Sequence, residues 1–550
     1  MSNRPLPALT PEQEFFWTSG QDGRLRFRRC QSCGALQHPP GPVCRSCGSE
    51  ELAVAEVGGT GVVAGFTVNH QPWLPTLELP YVIAIVAIDD DPRVRLTTNI
   101  VGCDPADVRV GMRVEVRFEQ HEDVWLPFFA PTDDASDGPV PDDEPAAPYV
   151  RPMVRPEKFE AQVALTGIGL SRVGRRLGVD PLSLTVAACR QAVEDAGLTM
   201  ADIDGLSTYP GGGPAGGHAE GGITAVEEAL RIRPTWINGG MELPGQGGSV
   251  VAAMLAVAAG LCRHVLCFRT VWEATWADRL RNRPSSGGSG GGRVEGDFMS
   301  WRAPFGAMSA ANWIAMFASN HFHRYGTTRE TLATIALNAR QHASLNPAAI
   351  YREPLTVDDY FGARMITTPF GLYDCDVPCD GSTAIVVSAI DAAASLRHRP
   401  VLVEAVGTQI TERISWDQST LSHEPQTAGP AAHLWSRTDL RPADVDVAQL
   451  YDGFTFNCLS WLEALGFCGV GEAKDYLADP KRIALGGELP LNTFGGQLSA
   501  GRTHGYGFLH EAVVQLRGDG GDRQVDGAEV VVVSTGGGTP GGCFLFTRAR

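Results

Sequence analysis

The sequence predicts an α/β protein built in two parts: a small zinc-ribbon plus β-barrel domain, then a much larger α/β domain. Three observations predict it. Four cysteines near the start form two Cys-x-x-Cys pairs, and short β-branched runs follow them to residue 130. Beyond a Pro/Asp-rich stretch, helix-period and buried-strand patterns alternate to the last residue.

Composition limits the function classes. With 550 residues, 43% apolar and 20% charged, the chain has the make-up of a globular protein large enough for several domains. A formal charge of −18 opposes broad binding to nucleic acid or to an anionic membrane surface, because both need a basic face. The start, "MSNRPLPALTPEQEFFW", lacks a signal-peptide pattern, and no apolar run reaches the roughly 18 residues of a membrane span, so a cytoplasmic protein is expected. Nine of the 13 cysteines are scattered, which suits a reducing compartment better than a disulfide framework.

The other four, in "CQSCGALQHPPGPVCRSC", are Cys30, Cys33, Cys44 and Cys47. Two facing Cys-x-x-Cys turns supply the four thiolates of a tetrahedral zinc site, and four protein ligands leave no open position for substrate. The predicted cofactor is therefore structural zinc. The runs "GTGVVAGFTVNH", "YVIAIVAIDD", "RVRLTTNIV" and "RVEVRFEQ" predict a small all-β barrel completing a domain of residues 1–130. That segment has 11 arginines, no lysines and 16 acidic residues, which opposes a single-strand-binding role.

Residues 131–156, "PTDDASDGPVPDDEPAAPYVRPMVRP", read as a linker; the alternative is an ordered strap over one domain. In residues 157–550, "SLTVAACRQAVEDAGL" reads as a helix, and "HVLCF", "TAIVVSA" and "AEVVVVSTGGG" read as buried strands. A glycine-rich turn enters an apolar helix at "GQGGSVVAAMLAVAAG" and again at "GRTHGYGFLHEAVVQL", suggesting two similar halves. The glycine-rich stretch 284–301 reads as an insertion, either a lid or a loop without fixed structure.

The N-terminal segments quoted above, with "FFWTSGQDGRLRF" before them, resemble the zinc-ribbon/OB-fold domains that accompany thiolase-like and acyl-CoA enzymes. The resemblance implies an acyl-CoA partner or an acyl-CoA enzyme in the same chain. In the second part, "YGTTRETLATIALNARQHASLNP", "CDGSTAIVVSA", "LYDGFTFNCLSWLEALGFC" and "NTFGGQLSAGRTHGYG" resemble the thiolase superfamily, in its branch of sterol-carrier-protein thiolases and lipid-transfer proteins. This implies a five-layered αβαβα fold and a homodimer formed through the thiolase-like domain.

A thiolase needs a cysteine where its first central helix begins, since the helix dipole lowers the thiol pKa there. That place falls in "MELPGQGGS", residues 241–249, which has none; Cys189 and Cys262 lie in flanking elements. Near the chain end, Ser534 or Thr535 stands where the second cysteine would be, and Cys543 follows in an apparent strand. Cys458 and Cys468 fit one apolar helix and read as core. Where the superfamily shows Gly-His-Pro, this chain has Gly501, Arg502 and Thr503.

A chain without the cysteine, with tyrosines in the site blocks and a zinc-ribbon/OB-fold domain, resembles the steroid side-chain-cleaving aldolases of this superfamily. In those enzymes the auxiliary domain is a separate polypeptide; here it is fused. Carried over residue by residue, the resemblance implies catalytic roles for Tyr451 and Asp452 of "YDGF" and for Tyr506, with His504 as activator. The implied reaction is retro-aldol cleavage of a β-hydroxyacyl-CoA, with an enoyl-CoA hydratase as partner. The alternatives are an acyltransferase using an unconventional nucleophile such as Cys458 or Cys543, and a non-catalytic acyl-CoA or lipid carrier that scaffolds a hydratase.

Overall fold

The computed structural model describes residues 4–133, 136–141, 149–154, 156–210, 217, 222–240, 244–282, 293–294, 298–413, 415–424, 427–537 and 541–549. The chain begins with a three-stranded ribbon, β1 (Arg26–Cys30), β2 (Leu36–Gln37) and β3 (Leu52–Glu56), with β1 in the middle. Each Cys-x-x-Cys pair is closed by a glycine. Gly34 and Gly48 take φ of +77° and +76° and donate their N–H groups back to the Cys30 and Cys44 carbonyls at 2.9 and 2.8 Å. Only a residue without a Cβ adopts that turn at no steric cost.

The four sulfurs consequently lie within 4.8 Å of one another, with Cys30–Cys47 at 3.6 Å and Cys33–Cys44 at 3.7 Å. A tetrahedral site with Zn–S bonds of about 2.3 Å places its sulfurs about 3.8 Å apart. The donor set fits one structural zinc ion.

Five strands follow: β4 (Thr60–Asn69), β5 (Tyr81–Ile88), β6 (Asp91–Ile100), β7 (Arg113–His121) and β8 (Val124–Pro131). They run in the order β4-β5-β6-β8-β7, and β7 pairs back onto β4 to close the barrel. β7 covers only the Thr60–Val62 end of β4, which leaves the far end of that strand open for another partner.

The large domain opens with β9 (Val163–Leu170), helix α1 (Pro181–Asp195), β10 (Gly205–Thr208), β11 (Trp236–Gly239), α2 (Gly248–Ala258) and β12 (His264–Trp272). An excursion then carries α3 (Glu273–Arg281), α4 (Ala310–Tyr325), α5 (Arg329–Ser344), β13 (Met365–Thr367) and β14 (Phe370–Gly371). The chain returns as β15 (Asp380–Ala389), β16 (Val401–Gly407), α6 (Ala428–Trp435), β17 (Val447–Gln449), α7 (Thr455–Ala464), α8 (Tyr506–Arg517), β18 (Val530–Thr535) and β19 (Gly542–Arg548).

The repeat suggested by the two glycine-turn helices is present in the pairing. In the first half β9 pairs antiparallel with β15, β15 antiparallel with β12, and β12 parallel with β10. The second half repeats the pattern with β16, β19, β18 and β17. The halves meet where β9 pairs with β16. Helix α1 covers the first sheet, α6 covers β16 and β19, and α8 packs on both β18 and β15, giving the expected five layers.

The two parts of the chain share a sheet. Strand β13 adds to β4 through Thr367 and Asn69, and Val68 N donates to the Thr368 hydroxyl at 2.8 Å. Trp17 stacks on Trp301 with centroids 4.9 Å apart, and Trp301 and Phe305 belong to the core of the barrel.

The described pieces of 131–156 are held in place. Thr132 N and Gly138 N donate to the Arg113 and Gly111 carbonyls, and Gln409 Nε2 donates to the Tyr149 carbonyl at 2.6 Å. Residues 134, 135, 142–148 and 155 of that stretch lie outside the described residues. Of 284–301, residues 293–294 and 298–301 pack toward the N-terminal part, Val294 pairing with Pro7; residues 284–292 and 295–297 lie outside the described residues. One expectation is corrected. Helix α7 stops at Ala464 because Gly466 takes φ of +79°, so Cys468 lies beyond the helix that holds Cys458.

Because the ribbon has little apolar core of its own, its fold is expected to depend on the metal. Purified protein should contain one zinc per chain, and Cys44→Ser should lower the melting temperature by about 5 °C or more. Metal analysis with calorimetry checks this; an unchanged transition in metal-free variant would contradict it.

Candidate active site

The site forms where the first turns of α2 and α8 meet the ends of β17 and β18. Residues 241–243 of the expected nucleophile segment lie outside the described residues; in the remainder, Gly245 takes φ of +59° and a Cβ there would fall 2.4 Å from the Thr535 carbonyl oxygen. Gly247 N donates to Thr535 Oγ1 at 3.2 Å. Thr535 therefore braces the helix entrance, whose polar side chains are Gln246 and Ser249, both buried.

Burial pushes the thiols of Cys189, Cys267, Cys375, Cys379, Cys458 and Cys543 above their ordinary value. Cys379 donates to the Arg502 carbonyl oxygen at 3.3 Å.

Tyr451 follows β17. Its N–H donates to Ser534 Oγ at 2.9 Å, and Leu450 N donates to Asn492 Oδ1 at 2.7 Å, which carries the chain off the sheet edge toward α2. The phenol, 7% exposed, accepts from Gln246 Nε2 at 3.4 Å, and its ring lies 6.0 Å from that of Phe508.

Asp452 is turned the other way. It accepts from Gln497 N at 2.7 Å and from Asn492 Nδ2 at 3.0 Å, and burial pushes its carboxyl up to about 8. It thereby anchors the π-helical turn Gly496–Ala500. Gly496 takes φ of +58°, and a Cβ there would sit 1.8 Å from Asp452 Oδ2.

From this turn the chain enters the Arg502–His504 loop, where charges gather. Arg502 donates from Nε to Glu273 Oε2 at 2.7 Å and from Nη1 to Asp376 Oδ1 at 3.0 Å. Burial alone would lower the guanidinium's pKa, but Asp376 and Glu273 outweigh it and hold the pKa above its usual value. Asp376 is buried beside it and is pushed up to about 7. His504 Nε2 meets Glu273 Oε1 at 3.1 Å, and burial lowers its pKa to about 4. A carboxylate can only accept, so Nε2 carries the proton of this neutral imidazole and Nδ1 carries the lone pair.

Tyr506 begins α8 and is fully buried. Its hydroxyl lies 2.6 Å from Ser249 Oγ, and burial pushes the phenol well above its ordinary value. The fold thus brings Tyr451 to Gln246 and brings Arg502 and His504 together on Glu273, while the Tyr506 hydroxyl faces Ser249 on α2. Glu273, Asp376 and Gln246 escaped sequence reasoning. An arginine in place of the usual histidine signalled a buried cation in need of carboxylates. Its partners, however, lie 126 and 229 positions away.

Residues 17–53 match the family model for the ChsH2 rubredoxin-like zinc ribbon domain, 54–119 that for the ChsH2 C-terminal OB-fold domain, and 408–542 that for the thiolase C-terminal domain-like family. A steroid side-chain-cleaving aldolase of Thermomonospora curvata is 34% identical over 390 residues, 70% of this chain and 97% of that protein. This chain belongs to the steroid side-chain-cleaving aldolases.

Another relative of the aldolase is the 17-hydroxy-3-oxo-4-pregnene-20-carboxyl-CoA lyase of Mycobacterium tuberculosis, 34% identical over 70% of this chain and 98% of the lyase. The solved Ltp2-ChsH2(DUF35) aldolase is 31% identical, with a TM-score of 0.63, and covers 71% of this chain and 98% of its own. A probable enoyl-CoA hydratase alpha subunit of T. curvata is 39% identical over 129 residues, 23% of this chain and 40% of that subunit. No helix among the aldolase's described residues is long and apolar enough to cross a membrane.

Two outcomes follow from this geometry. Gly496→Ala should cost about 2–4 kcal/mol, from left-handed strain plus the clash with Asp452; a thermal-melt loss below about 0.5 kcal/mol would contradict it. The folded pKa of His504, about 4, lies below its ordinary 6.5. A depressed histidine pKa contributes stability that is present above pH 6.5 and lost as pH falls toward 4. Urea midpoints of wild type should therefore fall more than those of His504→Gln across that window, by on the order of 2 kcal/mol in stability; parallel curves would refute the assignment.

Proposed function

We propose that this aldolase cleaves a β-hydroxyacyl-CoA by a retro-aldol reaction in which Tyr451 removes the β-hydroxyl proton. One observation carries the reading: the Tyr451 phenol hydrogen-bonds Gln246 at the helix entrance where a thiolase would place its cysteine. Tyr451 is also among the groups that act electrostatically on Arg502, so the phenol and the guanidinium share one field.

As the alkoxide forms, its electron pair becomes the carbonyl of the released ketone or aldehyde. The carbon–carbon bond breaks, and its electrons pass into the enolate of the shortened acyl-CoA. A proton then returns to carbon. It is the proton that Tyr451 took from the hydroxyl, so the reaction balances without a second donor. Tyr506 acts as a positioning residue that ties α8 to α2. Backbone N–H groups of the glycine turns at 245–246 and 536–537 serve as oxyanion donors, each worth about 3 kcal/mol in the barrier, while that of Gly247 is engaged by Thr535 Oγ1.

The names of the relatives favour a steroid acyl-CoA with a hydroxyl on the β-carbon. An enoyl-CoA hydratase would install that hydroxyl by adding water, and a probable hydratase alpha subunit is similar to 129 residues of this chain. The remaining parts of the proposal are a cytoplasmic enzyme, a homodimer through the thiolase-like domain, and a chain divided at 131–156.

The test uses a steroidal β-hydroxyacyl-CoA without added free CoA, with products followed by mass spectrometry. Wild type should release ketone and shortened acyl-CoA in equal amounts, and Tyr451→Phe should be slower by roughly 100-fold or more. Acyl exchange appearing only when free CoA is supplied would overturn the lyase reading.

A further inference from the structure

A cavity of about 600 Å³ lies between the zinc ribbon and the second half of the large domain. Its ribbon and barrel wall presents Gln37, Arg45, Arg93 and Arg95, and the opposite wall presents Arg413 and Ser419. Four arginines around one space are unexpected in a chain of net charge −18. Among the described residues the lining carboxylate is Glu412, which meets His423 at 3.0 Å; Asp91 pairs with the outer arginine, Arg93, at 2.8 Å, and the charge of buried Asp417 acts on Arg45.

The guanidinium groups are fixed from both sides. Arg45 Nη1 and Arg413 Nη2 each donate to the His38 carbonyl oxygen at 3.1 Å, which brings two like charges from distant parts of the chain onto one acceptor. Arg95 donates to the Ser419 carbonyl oxygen across the same boundary. Gln37 is 5% exposed; its Oε1 accepts from Arg45 N at 3.2 Å, and its Nε2 has no partner among the described residues. Converging cations beside a buried, unmatched amide donor suit an anion rich in acceptor oxygens.

One chain segment, 420–424, runs from the cavity wall toward the residues beside Thr535. Thr420 lines the cavity, and four residues on Glu424 Oε2 accepts from Asn457 Nδ2 at 2.6 Å. A Cβ at Gly537, two residues after Thr535, would lie 2.8 Å from that Asn457 nitrogen and 3.0 Å from Glu424 Oε1.

We propose that this cavity holds the phosphates of the coenzyme A nucleotide, so that the zinc ribbon supplies part of the grip on the substrate. The inference rests on the reading that the substrate is a CoA thioester. Bidentate arginines match phosphate geometry, and a cavity shared by both parts of the chain gives the fused domain a binding role.

Two measurements test it on the full chain. Calorimetric binding of adenosine 3′,5′-bisphosphate and of CoA should weaken roughly 10- to 100-fold in Arg45→Gln/Arg413→Gln and less in Arg93→Gln, whose side chain is 74% exposed. In turnover, the double variant should raise KM for the CoA thioester at least about tenfold more than KM for the matching N-acetylcysteamine thioester, which has no phosphates. Undiminished CoA binding in both variants, or equal losses with both thioesters, would overturn the proposal. If neither thioester is cleaved by wild type, the lyase reading fails while the binding isotherms still decide the cavity.

Discussion

The arrangement of the site depends on one half-buried charge. Arg502 lies between Glu273 and Asp376, and His504 shares Glu273, so one guanidinium joins the start of α3, the loop before β15 and the entrance of α8. A cation taken out of water is tolerable only where carboxylates and hydrogen bonds replace the lost hydration. Removing either carboxylate would leave the other groups mismatched, so these three segments hold a single relative geometry. Tyr451 depends on it, because Asp376 N donates to the Gly453 carbonyl and ties the charged cluster to the Tyr-Asp-Gly-Phe turn.

Around that cluster, close backbone approach takes the place of side-chain bulk. Gly245 and Gly505 press against Thr535, and Gly496 presses against Asp452, each with positive φ. These contacts bring two helix starts into one small space, and helix starts favour negative charge. A thiolase puts a thiolate in such a place; this chain puts an amide, Gln246, beside a phenol. The frame of a cysteine enzyme is thereby available for proton transfer.

The N-terminal part is built into the same frame. Strand β13, from the excursion between β12 and β15, extends the barrel sheet, and Trp301 from that excursion lies in the core of the barrel. The excursion also carries Glu273 and Asp376, so packing of the barrel bears on the segments that position the charged cluster. Fusion in one chain keeps these contacts at high effective concentration without an association step.

The sequence by itself determined what is local. Two Cys-x-x-Cys-Gly turns encode a zinc ribbon because each knuckle is closed within five residues, and the barrel strands, α1, α2 and α8 follow from short-period apolar patterns. Motif identity also placed Tyr451, Asp452, His504 and Tyr506 near the glycine turns. Only the tertiary structure decided which way those groups face: Asp452 toward the π-helical turn, Tyr506 toward Ser249, His504 toward Glu273. Glu273 and Asp376 have no motif of their own, since a carboxylate in a helix start or a loop looks like any surface acid until folding brings a cation to it. The same holds for the arginine-lined cavity, whose walls are separated in sequence by more than 300 residues at the Arg95–Ser419 contact. Burial and long-range charge pairing are properties of the packed chain, and no sequence window contains them.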